Sequence, residues 1–221
     1  MAMGSLGRIK VILEREVPPI SSPNPSLEQY TTPAELALVV AQDAMQRGIL
    51  RGSTVADLAS GTCRLGIASL LLGAEKLVAI DVDFRLSRAC LEAARRLGLD
   101  GRVSFIASRL SGGVGPLRKR AYDIVVTNPP FGVRRRGADW EVLAHALESH
   151  TPHVYAILKS GNLKYHSYRA ELYGYSTILI STAKFPIQAS MPHHRSRVRR
   201  VDVDVILFKT AIREGGGYAR R

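Results

Sequence analysis

A short apolar strand that runs into Asn128-Pro129-Pro130-Phe131 is the part of this sequence best suited to chemistry. The residues before it, Ile124–Thr127, are apolar or β-branched, which predicts a strand buried on both faces within a parallel sheet. The prolines must end that strand, because neither can donate a hydrogen bond to a neighbouring strand. Asn128 precedes a proline and favours an extended backbone, so its side chain should project beyond the carboxyl end of the strand. Open α/β sheets bind ligands at that edge.

This corner could hold a flat ring that carries an amino group. The Asn128 side-chain oxygen and the Pro129 carbonyl are two hydrogen-bond acceptors, and Phe131 offers a face for stacking. The exocyclic amino group of adenine is a poor nucleophile because its lone pair is delocalised into the ring. Two acceptors would strengthen their contacts as positive charge develops on the nitrogen during attack on an electrophilic methyl group. The alternative is an ordinary strand-end turn with a packed Phe, and a methyl-donor site earlier in the chain would decide against it.

Small and acidic residues follow the two strands predicted at 55–58 and 76–80. The turn after the first strand reads Asp57-Leu-Ala59-Ser-Gly61-Thr-Cys63, and small residues there let the backbone approach a ligand closely. Asp81 ends the second strand, where an acid can accept hydrogen bonds from ribose hydroxyls. The order of small-residue turn, acid and Asn-Pro-Pro-Phe therefore indicates a nucleoside cofactor beside the amino-group site.

The alternation of apolar runs and helical segments predicts an α/β fold. We expect a Rossmann-like, doubly wound, mostly parallel sheet of about seven strands with an antiparallel last strand. An N-terminal arm and Pro-rich linker (1–26) precede the domain (27–210), and a disordered basic tail (211–221) follows it. Thr32 and Pro33 should cap and begin the first helix of the domain, whereas the state of 7–17 stays open. Strands are predicted at 55–58, 76–80, 103–107, 122–127, 153–158, 176–182 and 198–209, helices at 33–47, 64–72, 84–97, 139–149 and 165–173, and a loop at 185–197.

The composition is that of a globular protein with a substantial core, since 46% of its 221 residues are hydrophobic. No apolar run approaches the ~20 residues of a membrane span, and no signal-peptide core is visible, which predicts a cytoplasmic protein. With only Cys63 and Cys90, a disulfide framework is not expected. The six histidines show no metal-ligand spacing, so no metal is expected.

The chain has a net charge of +12, and its basic residues are clustered. Such clusters suit a phosphate backbone, although a solvated charged surface is the usual role of any single triplet. An anionic membrane is a weaker option, because no basic amphipathic helix is visible. Nucleic acid is therefore the favoured partner. Beside Arg118-Lys119-Arg120, the candidate RNA-binding residues are Arg134, Arg135, Arg136, Arg195, Arg197, Arg199 and Arg200.

Taken together, these motifs resemble those of the class I S-adenosylmethionine-dependent methyltransferases of the N6-adenine type. The resemblance narrows to the methyltransferase-like-five family and its archaeal relatives, and it extends from about Leu27 to Lys209. The residues that carry it are Leu27-Glu28-Gln29-Tyr30 with Thr32, Asn128-Pro-Pro-Phe-Gly132 and Arg200-Val-Asp-Val-Asp204. Asn-Pro-Pro-Phe is shared with many enzymes, whereas Leu-Glu-Gln-Tyr is more selective. The resemblance implies methylation of one adenine of small-subunit ribosomal RNA.

The resemblance also implies a role for each site residue. The catalytic corner that holds the base is Asn128, Pro129, Pro130 and Phe131. Ala59 and Cys63 stand where the family pattern has glycine, and Ser108 stands where an acid often contacts the cofactor's adenine. The cofactor-binding residues implied are Gln29, Tyr30 and Thr32 on the N-terminal side, Asp57, Ala59 and Gly61 at the methionine end, Asp81 at the ribose, and Ser108 and Asn128.

The family further implies a small zinc-binding activator protein that serves several methyltransferases. The predicted strand 103–107 should lie at a sheet edge and carries no lysine or proline, so a second chain could add a strand there. Alternatively, residues 7–17 fold back over that edge.

Two other functions stay open at this stage. Asn-Pro-Pro-aromatic also suits a protein-glutamine N5-methyltransferase that acts on release factors, although Phe131 and the basic clusters count against it. A non-catalytic RNA-binding protein could result if Ala59 and Cys63 reflect a decayed cofactor loop. DNA adenine is harder to exclude, because phosphate contacts carry little base identity.

Overall fold

The computed structural model describes residues 3–110, 117–188 and 198–210, which form one seven-stranded sheet flanked by helices. The strands are β1 (Thr54–Leu58), β2 (Lys76–Asp81), β3 (Val103–Ala107), β4 (Ile124–Thr127), β5 (His153–Lys159), β6 (Tyr175–Gln188) and β7 (Val198–Thr210). The helices are α1 (Met3–Glu16), α2 (Ala34–Gln46), α3 (Arg64–Leu71), α4 (Leu86–Arg96), α5 (Ala138–Glu148) and α6 (Leu163–Glu171).

The strand order is β3-β2-β1-β4-β5-β7-β6, with β1 to β5 parallel and β7 antiparallel to both of its neighbours. This confirms the predicted Rossmann-like, mostly parallel sheet with an antiparallel last strand. In the register of the central strands, Leu58 lies beside Ile80 on one side and Thr127 on the other. The carboxyl ends of β1, β2 and β4 are therefore level, and the residues that follow them lie at one edge of the sheet.

The core has two layers, one on each face of the sheet. Successive strand residues point to opposite faces, so Val55 packs in one layer and Ala56 in the other. Helices α1 to α4 cover the first face and α5 with α6 cover the second. Within the described residues, no helix is long and apolar enough to cross a membrane.

The segment before the domain packs on the first face. Helix α1 contacts α2 and α3, and Leu13 and Val17 are fully buried in that core layer. The buried Arg64 side chain donates to the carbonyl oxygens of Val17 and Thr32, which ties this segment to the start of α3. In the segment 7–17, whose state the sequence left open, residues 7–16 therefore belong to helix α1 and Val17 packs just after its end. The predicted tail at 211–221 lies outside the described residues.

Two local predictions are wrong in detail. Helix α2 begins at Ala34 without a side-chain cap, because Pro33 and not Thr32 occupies the N-cap position; the Thr32 hydroxyl accepts a hydrogen bond from Asn128. The loop predicted from 185 begins later, since β6 continues to Gln188 and pairs with β7 along its whole length. A pattern of single residues does not reveal such long-range pairing.

The expectation against a disulfide is also wrong. Cys63 and Cys90 are bonded, with their Cα atoms 5.4 Å apart. Cys63 lies just before α3 and Cys90 lies within α4, and the crossover through β2 places both helices on the same face of the sheet. A cysteine count cannot reveal this proximity, because it depends on how the two helices pack.

Candidate active site

A cavity of about 320 Å³ opens at the carboxyl edge of the sheet, where ligands of this fold bind. Its wall combines the N-terminal segment with the turns after β1, β2, β3 and β4. Thr32, Pro129 and Phe131 are not part of the wall but contact or adjoin residues that are, and Asp57 is buried behind the wall. The predicted site residues that line the cavity are Gln29, Tyr30, Ala59, Gly61, Asp81, Ser108, Asn128 and Pro130.

Asn128 is held with its oxygen unpaired. Its Nδ2 donates to Thr32 Oγ1 at 3.0 Å, which fixes the rotation of the amide. Its Oδ1 is buried and has no hydrogen-bond partner among the described residues. A buried acceptor without a partner is costly, so this oxygen is suited to a ligand N–H that reaches it. The geometry thus provides the acceptor that the sequence predicted, and Thr32 orients it.

Phe131 is packed between two other rings. Tyr30 stacks on it at 5.8 Å between centroids and 19° between planes, and Phe185 meets it edge-on at 5.2 Å. Phe131 is only 7% exposed and lies outside the cavity wall, whereas Tyr30 is part of the wall. A planar ligand in the cavity therefore meets Tyr30 first, and Phe131 supports that ring from behind.

Asp57 anchors the first turn of α3 to the end of β1. Its Oδ2 accepts the Gly66 N–H at 2.9 Å, and burial raises the pKa of this carboxyl well above its usual range. Gly66 permits this approach, because a Cβ there would clash with Leu77 on β2. Oδ1 of Asp57 is buried without a partner among the described residues. The structure therefore uses Asp57 to shape the turn that lines the cavity.

The turn after β1 adopts the backbone that glycine favours, although two of its residues are not glycine. Ala59, Gly61 and Cys63 have φ values of +52°, +55° and +66°. Each non-glycine residue in this left-handed region costs about 1–2 kcal/mol. The loop therefore keeps the conformation of a glycine-rich turn, and the disulfide to Cys90 restrains Cys63 within it.

Asp81 joins this turn to the end of β2. Its Oδ2 accepts the Gly61 N–H at 2.8 Å and its Oδ1 accepts the Asp83 N–H at 2.9 Å. Burial raises the pKa of Asp81, although both backbone hydrogen bonds oppose that shift. Because Asp81 also lines the cavity, its remaining lone pairs are placed to accept hydrogen bonds from a ligand.

Gln29 holds the N-terminal segment against β2. Its Oε1 accepts the Asn24 N–H and its Nε2 donates to Asp83 Oδ2 at 3.0 Å. The hydrogen bonds from the Arg85 side chain keep the pKa of Asp83 well below its usual range, so Asp83 is ionised and fixed in place. Gln29 therefore closes one side of the cavity with both ends of its amide already bonded.

Sequence reasoning gave Glu28 no role in the site, although it belongs to the selective Leu-Glu-Gln-Tyr segment. It is 6% exposed and has a left-handed backbone with φ +49°. One carboxylate oxygen accepts the backbone N–H of Arg134, and the other is buried without a partner among the described residues. Glu28 thus ties the N-terminal segment to the loop after Phe131. The wall also contains Leu27 of that segment and Arg135, which the sequence predicted as an RNA-binding residue. The other wall residues that the sequence analysis missed are Ile20, Ser26, Val82, Arg109, Leu110, Ala138 and Val142.

The predicted RNA-binding arginines fall into two groups. Arg134, Arg135 and Arg136 are exposed in the loop after Phe131, and Arg135 is paired with Glu141. Arg200 is exposed on β7, and the backbone of Arg199 also belongs to that strand. Arg195 and Arg197 lie outside the described residues. The first group therefore lies beside the cavity, where Arg135 is part of the wall.

A Rossmann-like sheet with this turn, an acid after β2 and Asn-Pro-Pro-Phe after β4 at one edge defines a class I methyltransferase, whose methyl donor is S-adenosylmethionine. The chain belongs to the methyltransferase small domain family, whose model matches residues 38–189.

Individual relatives agree with this assignment. The rRNA N(6)-adenosine-methyltransferase Mettl5 of Drosophila melanogaster is 28% identical over 191 residues, which cover 83% of this chain and 86% of the relative. An uncharacterised protein of Methanocaldococcus jannaschii is 33% identical over 201 residues, with 85% and 86% covered. The solved structure of a provisionally assigned RNA methyltransferase from Pyrococcus horikoshii superposes with a TM-score of 0.83 at 27% identity, covering 96% of this chain and all of that one.

The residues around the cavity fit S-adenosylmethionine. The volume of about 320 Å³ is within the range of small-molecule sites, and Asp81 offers acceptors for a ribose. Asp81 is part of the wall, whereas Asp57 is buried behind it and holds the turn after β1 in place. The turn at Ala59 and Cys63 has the left-handed backbone that glycine favours, as in a glycine-rich loop.

Replacing Asp81 should weaken cofactor binding more than RNA binding. Asp81→Ala removes the anchor of the Gly61 N–H and the acceptor expected to face a ribose, at a cost of about 1–3 kcal/mol, or roughly tenfold to a hundredfold in Kd. Titration calorimetry with S-adenosylmethionine measures this loss. Asp100→Ala, which removes an exposed acid outside the cavity, should bind like the wild type. If Asp81→Ala also retains the wild-type Kd, Asp81 is only a strand-end acid.

Proposed function

We propose that this protein transfers a methyl group from S-adenosylmethionine to the N6 amino group of an adenine in structured RNA, with small-subunit ribosomal RNA as its cytoplasmic substrate. The observation that carries the proposal is the unpaired Asn128 Oδ1, which Thr32 holds at the cavity wall. Relatives that bear rRNA N6-adenosine-methyltransferase names support the choice of RNA and of adenine N6. The choice of the small subunit rests on the Leu27-Glu28-Gln29-Tyr30 resemblance.

The base-binding corner acts on the amino group through neutral acceptors. Asn128 Oδ1 and the Pro129 carbonyl accept the two N–H groups, and these contacts strengthen as nitrogen becomes positive during transfer. S-adenosylmethionine supplies the electrophilic methyl group when it is bound. The hydrogen bond from Asn128 to Thr32 keeps the amide from rotating its NH₂ toward the substrate. Tyr30, backed by Phe131, gives the adenine a face to stack on.

A release-factor glutamine is the competing substrate, because its amide also presents N–H groups to Asn128. The net charge of +12 and the exposed arginines beside the cavity favour RNA instead. A tritiated-methyl assay that offers small-subunit rRNA, large-subunit rRNA and a release factor in parallel separates these substrates. We expect label in small-subunit rRNA alone. Label in the release factor alone would contradict the proposed function and indicate a protein-glutamine methyltransferase. Label in large-subunit rRNA alone would keep the reaction but show that the small subunit is not the substrate.

The arginines after Phe131 should contribute to RNA affinity by neutralising phosphates. Arg134 and Arg136 have no ion-pair partner among the described residues, whereas Arg135 is already paired with Glu141. In Arg134→Gln/Arg136→Gln, the slope of log K against log salt should fall by about 0.7–0.9 for each phosphate that the protein no longer neutralises. The charge-matched control is Arg51→Gln/Arg95→Gln, two exposed arginines elsewhere. An unchanged salt slope in the Arg134→Gln/Arg136→Gln variant would show that these arginines contact solvent and not phosphate.

The sheet edge formed by β3 is proposed to accept a strand from a small zinc-binding activator protein. In the described part of the chain, β3 pairs only with β2, and its Phe105 and Ile106 are half-buried. Helix α1 packs on α2 and α3 and reaches α4 through the ion pair of Glu16 with Arg96, so it leaves the outer side of β3 without a paired strand. An unpaired edge of this kind invites strand addition.

Hydrogen exchange tests this partner directly. Adding the activator should slow exchange at the amides of Val103–Ala107 that point away from β2, while the amides of β4 in the sheet interior remain unchanged as an internal control. If the β3 amides are already protected in the isolated protein, the edge is covered without a partner and the proposal fails.

A further inference from the structure

One face of helix α6 carries large apolar side chains that the core does not use. Tyr165, Tyr168 and Leu172 are spaced as on a single helix face, and their exposures are 51%, 65% and 70%. Every other tyrosine among the described residues is at least half-buried. We call Tyr165, Tyr168, Arg169 and Leu172 the α6 stripe. Exposed aromatic residues grouped in this way mark an interaction site more often than a plain surface.

Arg169 is fixed within this stripe by aromatic contacts. Its guanidinium carbon lies 3.9 Å from the centroid of Trp140 and 5.5 Å from that of Tyr165, and its Nη1 donates to the Tyr165 hydroxyl at 2.7 Å. Trp140 is 8% exposed and also stacks with His166. A guanidinium held by stacking has already lost much of its side-chain freedom, so it can bind an anion at low entropic cost.

The charge around the stripe is positive, because Lys159, Lys164 and Arg169 outnumber Glu171, the one acid of α6. Neither Arg169 nor the exposed Lys159 and Lys164 forms an ion pair within the described residues. Planar faces for stacking together with free cations are the combination that single-stranded nucleic acid requires. A protein partner without acidic groups would leave these cations unpaired.

The stripe begins at the edge of the sheet that holds the cavity. Helix α6 starts soon after the carboxyl end of β5, so Tyr165 lies in the turn nearest that edge. Helix α5 connects the two features, because Ala138 and Val142 line the cavity while Trp140 supports Arg169. A strand of RNA that leaves the cavity can therefore pass over the start of α5 and reach the stripe.

We infer that the α6 stripe is a docking surface for an unpaired nucleotide that flanks the target adenine. The flanking base stacks on Tyr165 or Tyr168, and its phosphate contacts Arg169 and Lys164. This inference rests on the proposed function, since it names how the RNA substrate is held outside the cavity. The α6 stripe therefore binds single-stranded RNA whether or not the cofactor is bound.

The test compares RNA binding with methyl transfer in the full-length protein. Fluorescence anisotropy gives the Kd for a labelled oligoadenylate of about 12 nucleotides, and the rRNA assay gives KM and kcat. Tyr168→Ala should raise both the Kd and the KM for RNA about tenfold, because each stacked base contributes on this scale. The kcat and the Kd for S-adenosylmethionine should not change. Tyr168→Phe retains the ring and should behave like the wild type, as should Leu91→Ala, an exposed apolar residue on α4.

The outcomes separate this inference from the function on which it rests. If the wild type methylates RNA and both Tyr168→Ala and Arg169→Gln match its Kd and KM, the stripe does not dock RNA and the proposed function stands. If the wild type neither binds nor methylates RNA, the proposed function is wrong and the docking inference is wrong with it.

Discussion

Asn128→Ala is expected to lower the kcat of methyl transfer about a hundredfold, while the Kd for S-adenosylmethionine changes little. The side-chain oxygen of Asn128 lies at the cavity wall without a partner among the described residues, and in the proposed reaction its contact strengthens as charge develops on the amino nitrogen. Losing one such acceptor typically costs about 3 kcal/mol of transition-state stabilisation. Single-turnover kinetics with saturating RNA measure this loss without contributions from binding.

Thr32→Val tests the same contact and should have a smaller effect than Asn128→Ala. Valine keeps the size of threonine but cannot accept the hydrogen bond from Asn128 Nδ2, so the amide is free to rotate. We expect an intermediate loss of kcat, because the acceptor is present but is no longer held in place. Wild-type turnover by Asn128→Ala would remove Asn128 from the reaction, and a Thr32→Val loss without an Asn128→Ala loss would assign Thr32 to folding.

Breaking the Cys63–Cys90 disulfide is expected to lower the free energy of unfolding more than any of the other substitutions. The bond closes a loop with a sequence separation of 27, and the chain-entropy relation assigns about 3.5 kcal/mol to a loop of that length. Guanidinium denaturation of the oxidised and the reduced protein measures the difference. Equal unfolding free energies, or two free thiols in the native protein, would contradict the structural role of the bond.

Two double variants separate the covalent bond from the backbone strain at the same position. Cys63→Gly/Cys90→Ala and Cys63→Ala/Cys90→Ala both lack the bond, but only glycine is relaxed at the φ of +66°. The glycine variant should therefore be about 1 kcal/mol more stable than the alanine variant. If the two variants unfold alike, the left-handed conformation at Cys63 is not a source of strain.

The parts of the site that follow strand ends could be predicted from the sequence. Buried parallel strands have a distinctive apolar pattern, and a polar residue that follows one must lie at the ligand edge. Asp81 and Asn128 were found in this way, and the structure places both in one cavity wall. The fold followed from the same alternation of strands and helices.

The remaining parts depend on contacts between residues far apart in the sequence. Thr32 was predicted to cap a helix, because local spacing cannot show that it accepts from Asn128, 96 positions away. The contact between Glu28 and the backbone of Arg134 spans 106 positions and is equally invisible to a local pattern. The α6 stripe was within a predicted helix, but only the packing of Trp140 shows which face of that helix stays exposed.

The identity of the methylated nucleoside is the most direct test of the proposed reaction. Small-subunit rRNA is incubated with the protein and isotopically labelled S-adenosylmethionine, digested to nucleosides and analysed by mass spectrometry, with Asn128→Ala in parallel. We expect label in N6-methyladenosine for the wild type and nearly none for the variant. Label in any other nucleoside, or equal N6-methyladenosine from both proteins, would contradict the proposed reaction.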